Sequence, residues 1–376
     1  MGLSVLYPDI MRDLSLNYTQ LGIMTGTSSI IAGFLQMAWS LLVRYLPRRI
    51  LLGFGNILVS IGCFIMGSAQ RFTDMVGGNV VSGGGQAAQH PVGTSILAQK
   101  FSREKVAGAL SIHYGLGYIG NIISPILLSF IAISFGWRQA LYVLAAVPFM
   151  TGLTVLYFLR GDGFASRSNE EKGRGDLWKD LKSAVHVRGA FLIIAAEAFA
   201  IGGSGMGVIT TYTPVFLKNF LNVGSFETSI IYAIAVVGGV IGTVLFGRLA
   251  NRLGNLRTAA LITGLSSLLI LLLRSYSLFD ILIIPHLFII GATSFAGSSL
   301  LQAHLVSVTT QSERDIVIGL YFTIGFGCSS IWTTLTGLVI DTYGSFNPAW
   351  LLRAALGTVA FTLMILAMIR SQKQKQ

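Results

Sequence analysis

A single glutamate stands inside an apolar stretch of this chain and is the first candidate for chemistry. Glu197 lies in FLIIAAEAFAIGG, while the other acidic residues fall in polar segments or beside them. A carboxylate in hydrocarbon costs roughly 2.5–3.5 kcal/mol, so one that persists there indicates a function by default. A buried carboxyl can bind and release a proton, and we interpret Glu197 as a proton-coupling residue. The alternative is a neutralised group that holds neighbouring helices together. Glycines at 202, 203 and 205 predict a broken helix directly after it, as at many transport sites.

Two polar stripes with helical spacing are candidates for the substrate pathway. The stripes consist of Asn79, Gln86 and His90 in the first case and of His113, Gly117 and Asn121 in the second. A histidine binds substrates or relays protons near neutral pH, so we predict that His90 lines the pathway and that His113 shares the proton-coupling role. For each histidine the alternative is a hydrogen bond to a backbone carbonyl between helices. Tyr114 and Tyr212 are predicted to line the same pathway, unless they serve only in packing.

The composition places these residues in a membrane. Of the 376 residues, 53% are hydrophobic and only 11% are charged, against roughly 25% charged in an ordinary soluble domain. Apolar stretches of about 17–25 residues can span a bilayer. Eleven such stretches run at 20–42, 50–69, 75–99, 107–134, 139–159, 190–217, 228–248, 258–273, 279–304, 316–340 and 350–369. Residues 1–10 resemble the end of one more span, and we expect the first helix to be truncated.

The basic residues alternate between loops as this number of spans requires. Twenty of the 26 Lys and Arg residues fall on the side that holds the segment 160–188, and the remaining six, Arg353 among them, are assigned to the other side. Since positively charged loops stay in the cytoplasm, we predict a multi-pass protein of the cell membrane whose linker 160–188 and C-terminal tail are cytoplasmic. The linker is predicted to be partly an amphipathic helix. This distribution explains the net charge of +11 without a nucleic-acid partner.

Several classes of function lack the residues that they need. GGNVVSGGGQ is rich in glycine, but no Lys-Ser/Thr pair follows, so it is not a phosphate-binding loop. The chain has no HExxH motif and no nucleophile elbow. Its histidines are dispersed, and Cys63 and Cys328 are far apart, which offers neither a metal site nor a disulfide framework. We therefore expect no enzymatic activity, no metal and no cofactor.

A basic motif occurs at the same place in each half of the chain. In the second half it is Gly247-Arg-Leu-Ala-Asn251-Arg252-Leu-Gly254-Asn-Leu-Arg257, and in the first half it contains Arg44, Arg48 and Arg49. The motif resembles the G-x-x-x-D-R-x-G-R-R loop of the major facilitator superfamily. That family uses the Asp in a cytoplasmic charge relay that latches one conformation. Since Asn251 and Val43 stand in its place here, the resemblance implies a latch built from other groups.

Two spans of the first half add to the resemblance. The stretch from Asn79 to Pro91 is similar to the family's R-x-x-x-G-x-G-x-x-x-x-x-P helix, with Asn79 in place of the Arg. The next span looks like the Gly/Pro-rich fifth helix of drug/proton antiporters, and we expect four of its residues to serve in helix packing. These are Gly115, Gly117, Gly120 and Pro125. The resemblance implies an all-α membrane protein with two pseudo-symmetric six-helix bundles, 1–159 and 189–376, in which the first helix is partial and eleven are complete.

The predicted function is secondary transport of a small organic molecule by alternating access, in a monomer embedded in the lipid bilayer. One buried Glu and no clearly buried Lys or Arg favour a neutral or cationic compound, exported in exchange for protons. One alternative is a proton symporter or uniporter that takes up a small metabolite. A second alternative, from a different class, is a membrane sensor that transports nothing.

Overall fold

Helices make up the regular structure of the described part of the chain. The computed structural model describes residues 2–42, 45–101, 105–159, 190–203, 206–309 and 311–373. The helices are α1 (Tyr7–Asp13), α2 (Tyr18–Leu42), α3 (Arg48–Gly67), α4 (Phe72–Gln86), α5 (Gln89–Lys100), α6 (Val106–Phe135), α7 (Trp137–Phe158), α8 (Ala190–Gly203), α9 (Met206–Val215), α10 (Ser225–Leu253), α11 (Asn255–Leu272), α12 (Ile283–Val308), α13 (Gln311–Tyr343) and α14 (Phe346–Lys373). Short 3₁₀ turns lie at Gly2–Leu6 and Leu273–Ser275, and a π-helical turn lies at Phe216–Phe220.

Eight helices of the described part are long and apolar enough to cross a membrane, namely α3, α6, α7 and α10 to α14. The span predicted at 75–99 is divided into α4 and α5, with a turn at Ala87 and Ala88. Pro91 in the first turn of α5 explains the division, because it has no N–H to donate to the carbonyl of Ala87. The break predicted at 202–205 and the linker 160–188 fall wholly or partly outside the described residues.

The chain forms two compact units. Unit 1 comprises Met1–Leu16 and Ile23–Glu171, and unit 2 comprises Asn17–Gly22 and Lys172–Gln376. In unit 1, α3 packs against α4 and α7. The predicted helical character of the first residues is confirmed, since the turn at Gly2–Leu6 and α1 are continuous and bury Leu6 and Ile10 completely.

In unit 2, α10 packs against α12 along a seam of glycines. A Cβ added at Gly238 would lie 2.9 Å from the carbonyl carbon of Phe288, and one at Gly242 would lie 2.5 Å from the Cα of Ala292. From the other side, a Cβ at Gly291 would overlap the backbone of Ala235. Small residues let helix backbones approach closely where lipid gives no hydrophobic drive for association. These glycines therefore set the distance between the two helices.

A second part of unit 2 positions the acidic candidate. Helix α8 packs against α13 and α14, and these helices share an apolar core with α11 and α12. That core contains Ile193 and Ala196 of α8, Tyr321 of α13 and Ala360 of α14, all of them at most 1% exposed. The turn of α8 directly before Glu197 is thus held in this core.

Arg353 is not one of the exposed charges with which it was counted. Arg353 lies inside α14 and is fully buried, because the helix begins at Phe346 and turns the stripe of Trp350, Arg353 and Ala360 toward the protein interior. These three residues recur at the spacing of one helix face. The sequence-based statement that the chain buries no clear cation is therefore also wrong.

Candidate functional site

The candidate site is the carboxyl group of Glu197, held between three helices of unit 2. The residue is 2% exposed. Its Oε1 accepts a hydrogen bond of 2.8 Å from the hydroxyl of Ser298 on α12. Its Oε2 is buried and has no hydrogen-bond partner among the described residues. The carboxyl group thus has one hydrogen-bonded oxygen and one buried oxygen without a partner among the described residues.

The hydroxyl of Ser298 is shared with a tyrosine of α13. The hydroxyl groups of Ser298 and Tyr321 lie 2.9 Å apart, and the Tyr321 hydroxyl also lies 2.8 Å from the carbonyl oxygen of Ser298. Tyr321 can therefore donate either to the carbonyl or to the hydroxyl of Ser298, while Ser298 donates to Glu197. A chain of hydroxyls that can change donor direction can follow a change in the protonation of the carboxyl group.

Trp332 of α13 fixes the backbone beside the carboxyl group. Its indole N–H donates a 2.7 Å hydrogen bond to the carbonyl of Ala198, the residue after Glu197. Its ring lies against that of Phe199, with 5.7 Å between the ring centroids. The position of Glu197 is thus coupled directly to α13.

Ser298 and Tyr321 were missed by the sequence analysis. Each lies in a span that carries polar residues, but a lone serine or tyrosine in such a span gives no indication of which helix it faces. Only the packing of α8, α12 and α13 brings both hydroxyls to the carboxyl group.

Tyr212 of α9 is fully buried and binds backbone on two helices of unit 2. Its hydroxyl lies 2.9 Å from the carbonyl oxygens of both Tyr18 and Thr333, to which it donates. The start of α2 is also held by Asp341 of α13, which accepts hydrogen bonds from the backbone N–H groups of Tyr18 and Thr19. A carboxylate at a helix N-terminus is favourable. Tyr212 thus has a structural role in joining these segments, and its role in the substrate pathway remains a prediction.

The polar candidates of unit 1 are spread over α4, α5 and α6. Asn79 is buried, and its side chain donates a 3.4 Å hydrogen bond to the carbonyl of Met75. Asn121 is half-buried, whereas Gln86 and His113 are exposed. The side chains of His90 and Tyr114 lie outside the described residues. The proton-coupling role of His113 and the pathway roles of the other five residues stay predictions.

The predicted packing glycines of α6 do not touch another described element. A Cβ added at Gly115, Gly117 or Gly120 would meet no described atom within 4 Å. Pro125 is buried, next to Ser124, against which Gly2 packs closely. The packing role of the three glycines remains a prediction.

The basic loop motif joins α10 to α11 through one glycine. Gly254 has a φ of 89°, a backbone conformation that favours glycine, and it ends α10 before Asn255 begins α11. Gly247 is half-buried, and the polar members of the motif are exposed, namely Asn251, Arg252 and Arg257. In the first half, Arg49 donates to the carbonyl of Leu159, Arg48 is half-buried, and Arg44 lies outside the described residues. Their role in a conformational latch stays a prediction.

His286 joins two helices of unit 2 through its ring nitrogens. Its ring nitrogens lie 2.9 Å from the carbonyl oxygen of Leu269 and 3.3 Å from the hydroxyl of Tyr276. The residue thus ties α12 to α11 and the loop that follows it. A small cavity also lies between α9, α10 and α12, lined by Thr213 and Tyr232, but Glu197 is not among its lining residues.

Comparisons with known proteins agree with this architecture. The sequence model of the Major Facilitator Superfamily matches residues 1–333. The "Probable L-galactonate transporter" of Escherichia coli (strain K12) is 22% identical, over 97% of this chain and 85% of that protein. An "MFS-type efflux pump" of Mycolicibacterium smegmatis is 25% identical, over 90% of this chain and 80% of the pump.

Solved structures share the fold. The crystal structure of the nucleoside transporter NupG aligns with a TM-score of 0.77 at 15% identity and covers 97% of this chain and 94% of NupG. A bacterial homolog of the human lysosomal transporter Spinster aligns with a TM-score of 0.74 at 15% identity, over 98% and 92% of the two chains.

The predicted fold, the multi-pass membrane location and the function of secondary transport are therefore confirmed, and the family is normally non-enzymatic. With a match over residues 1–333, this chain belongs to the Major Facilitator Superfamily.

Proposed function

We propose that this transporter exports a neutral or cationic small organic molecule in exchange for protons and that Glu197 carries the proton. The observation that supports the proposal is the fully buried carboxyl group with one hydrogen-bonded oxygen and one oxygen without a partner. An ionised carboxylate in such a place is costly unless it is neutralised. A proton or a cationic group of the substrate would neutralise it equally well.

This competition for one carboxyl group is the basis of exchange. When the substrate leaves, a proton must replace it before the helices can repack around an uncharged site. When the proton leaves, the carboxylate attracts the next substrate. The two ligands exclude each other at Glu197 and therefore move in opposite directions. A neutral substrate would exchange in the same way if it donated a hydrogen bond to Oε2 in place of the proton.

The surroundings of Glu197 support a role that changes during the cycle. Hydrogen bonds link α8 to α12 through Ser298 and to α13 through Trp332. Alternating access in such folds moves helix bundles around a site near the bilayer midplane. A change of charge at Glu197 would be felt by both neighbouring helices. The similarity to a mycobacterial efflux pump also supports export.

Flux in reconstituted vesicles tests the proposal. A panel of cationic, neutral and anionic compounds is offered to vesicles with an imposed pH gradient. The proposal predicts gradient-driven movement of a cationic or neutral compound, its loss in Glu197→Gln, and its retention in the matched control Glu227→Gln, which changes an exposed acid at the start of α10. Equal gradient-driven flux in both variants would exclude Glu197 as the proton carrier.

Proton symport of a small metabolite is the second candidate function. The fully buried Arg353 favours it, because the argument against an anionic substrate assumed that no cation was buried. The relative named as a probable L-galactonate transporter also supports it. Reversing the pH gradient separates the candidates, since an exporter and a symporter accumulate their substrate in opposite directions. In either case we propose a monomer whose linker 160–188 and C-terminal tail face the cytoplasm, with His113 as an auxiliary proton group.

A further inference from the structure

Arg353 is a buried cation without a bound partner. The residue is 0% exposed, and its Nε, Nη1 and Nη2 atoms have no hydrogen-bond partner among the described residues. A guanidinium carries five N–H donors and keeps its charge. Burial of an unpaired charge is strongly unfavourable, and ionisable residues within a membrane usually pair or mark a functional site. The structure therefore contains the donor half of an ion pair.

The buried acid of unit 2 is not its partner. Oε2 of Glu197 and all three guanidinium nitrogens of Arg353 lack a hydrogen-bond partner among the described residues, so the two groups do not pair with each other. The acceptor for Arg353 must come from elsewhere.

The residues around Arg353 indicate the chemical character of the acceptor that would pair with it. Trp350 lies one turn away on the same helix face, and its buried indole N–H also has no hydrogen-bond partner. The Trp350 ring packs edge-on against Phe216, with 5.3 Å between centroids, and at 5.8 Å against Phe346. Phe216 begins a π-helical turn, a rare element that occurs often at functional sites. Unpartnered donors thus lie beside a group of aromatic rings.

We propose that Arg353 and Trp350 bind the carboxylate of a small organic acid whose apolar part packs against these aromatic rings. The planar fork of a guanidinium matches the two oxygens of a carboxylate, and the indole N–H supplies a further donor. Aromatic walls with a few convergent polar groups are typical of small-molecule sites. The site deepens the second candidate function, the uptake of a metabolite, and rests on it for transport but not for binding.

Thermal unfolding of the purified protein tests the binding. Phenylacetate provides a carboxylate on an aromatic ring, and phenylacetamide is its neutral counterpart. We expect phenylacetate to raise the midpoint of unfolding in a concentration-dependent way, while phenylacetamide and potassium chloride do not. Arg353→Met should weaken the apparent affinity by about 10- to 100-fold, the loss expected for a charge-assisted hydrogen bond. The matched control Arg274→Met removes an exposed cation of unit 2 and should keep the full response.

Other results of this experiment would overturn the proposal. Equal shifts with phenylacetate and phenylacetamide, an unchanged affinity in Arg353→Met, or no shift in the wild-type protein would overturn the proposal. If Arg353→Met does not fold, Arg353→Lys replaces it, because a lysine keeps the charge but loses the fork and should bind at least about tenfold more weakly. An unchanged affinity in that variant would also overturn the proposal.

Transport is measured separately from binding. Labelled phenylacetate that enters vesicles of the wild-type protein and of Arg274→Met, but not of Arg353→Met, identifies a transported acid. Binding without flux identifies the same carboxylate site as an effector site. Glu197→Gln should keep the thermal shift, so a failure of proton coupling at Glu197 is distinguishable from a failure of the anion site.

Discussion

Replacement of Gly291 by alanine should destabilise unit 2 by separating α12 from α10. A Cβ at Gly291 would overlap the carbonyl oxygen of Ala235 and would lie 2.9 Å from its carbonyl carbon and 3.3 Å from the backbone nitrogen of Gly239. All three atoms belong to the backbone, so no flexible side chain can move aside. The two helices must separate instead.

The change in the free energy of unfolding on replacing a helix glycine by alanine follows from two opposing effects. Overpacking of a well-packed interior costs typically 1–3 kcal/mol. Alanine in place of glycine inside a helix returns up to about 1 kcal/mol. Gly297, six residues further along α12, provides the matched control because a Cβ there would meet only the hydroxyl of Thr263, at 3.9 Å. Gly297→Ala should therefore be neutral or stabilising by up to about 1 kcal/mol, while Gly291→Ala should be destabilising by about 1–2 kcal/mol.

Thermal unfolding in detergent measures both variants against the wild-type protein. About 2–4 °C per kcal/mol is expected for a unit of this size. The midpoint of Gly291→Ala should therefore lie several degrees below that of Gly297→Ala, which should equal or exceed the wild-type value. Midpoints that coincide would refute the close approach of α10 and α12 at Gly291.

Three further predictions concern the hydrogen bonds of individual side chains and can be checked by thermal unfolding. Tyr212→Phe removes the donor to the carbonyls of Tyr18 and Thr333 and should destabilise the protein by about 1–3 kcal/mol, whereas no change would mean that these contacts are not formed. Trp332→Phe keeps an aromatic ring against Phe199 but loses the bond to Ala198, and a loss of about 1 kcal/mol is expected. Hydrogen bonds from Arg138 and Trp137 lower the pKa of Asp13 below its ordinary 3.8. The ionised Asp13 therefore stabilises the folded protein at pH values above 3.8, and this stabilisation is lost as the pH falls through the lowered pKa. Asp13→Asn should therefore be less stable than the wild-type protein near neutral pH and equal to it in strong acid, and a deficit that persists in acid would contradict this origin.

The helical architecture could be predicted because each span is marked by residues that lie close together in the sequence. Long apolar runs, basic loops and turn glycines such as Gly254 are properties of neighbouring residues in the chain. The division at Ala87 was also available in principle, since Pro91 cannot complete the helix. The true start of α14 was harder to place, because Phe346 and Asn347 are not distinctive in the sequence. Arg353 already lay inside the predicted span 350–369, and only the packing of α14 shows that its side chain is buried.

Of the three residues in the candidate site, only the acidic one could be predicted from the sequence. Glu197 is conspicuous because a carboxylate is out of place in an apolar helix. Ser298 and Tyr321 are ordinary in theirs, and their meaning comes from helices that meet far from one another in sequence. The same holds for the packing glycines. Gly291 makes a backbone contact that spacing alone does not reveal, whereas Gly117, which lies on a regular stripe, meets no described atom within 4 Å of an added Cβ.

The proposed exchange depends most on the proton carried by Glu197. The steady-state ratio of substrate concentrations across the membrane tests this role most directly. Glu197 is the one fully buried acid among the described residues, which predicts one proton per cycle. Each unit of pH difference stores 1.36 kcal/mol per proton, or a tenfold concentration ratio. With the membrane potential held at zero, a gradient of about two pH units should sustain a roughly 100-fold ratio of the transported compound in the wild-type protein and a ratio near one in Glu197→Gln. A 100-fold ratio that survives in Glu197→Gln would contradict the account.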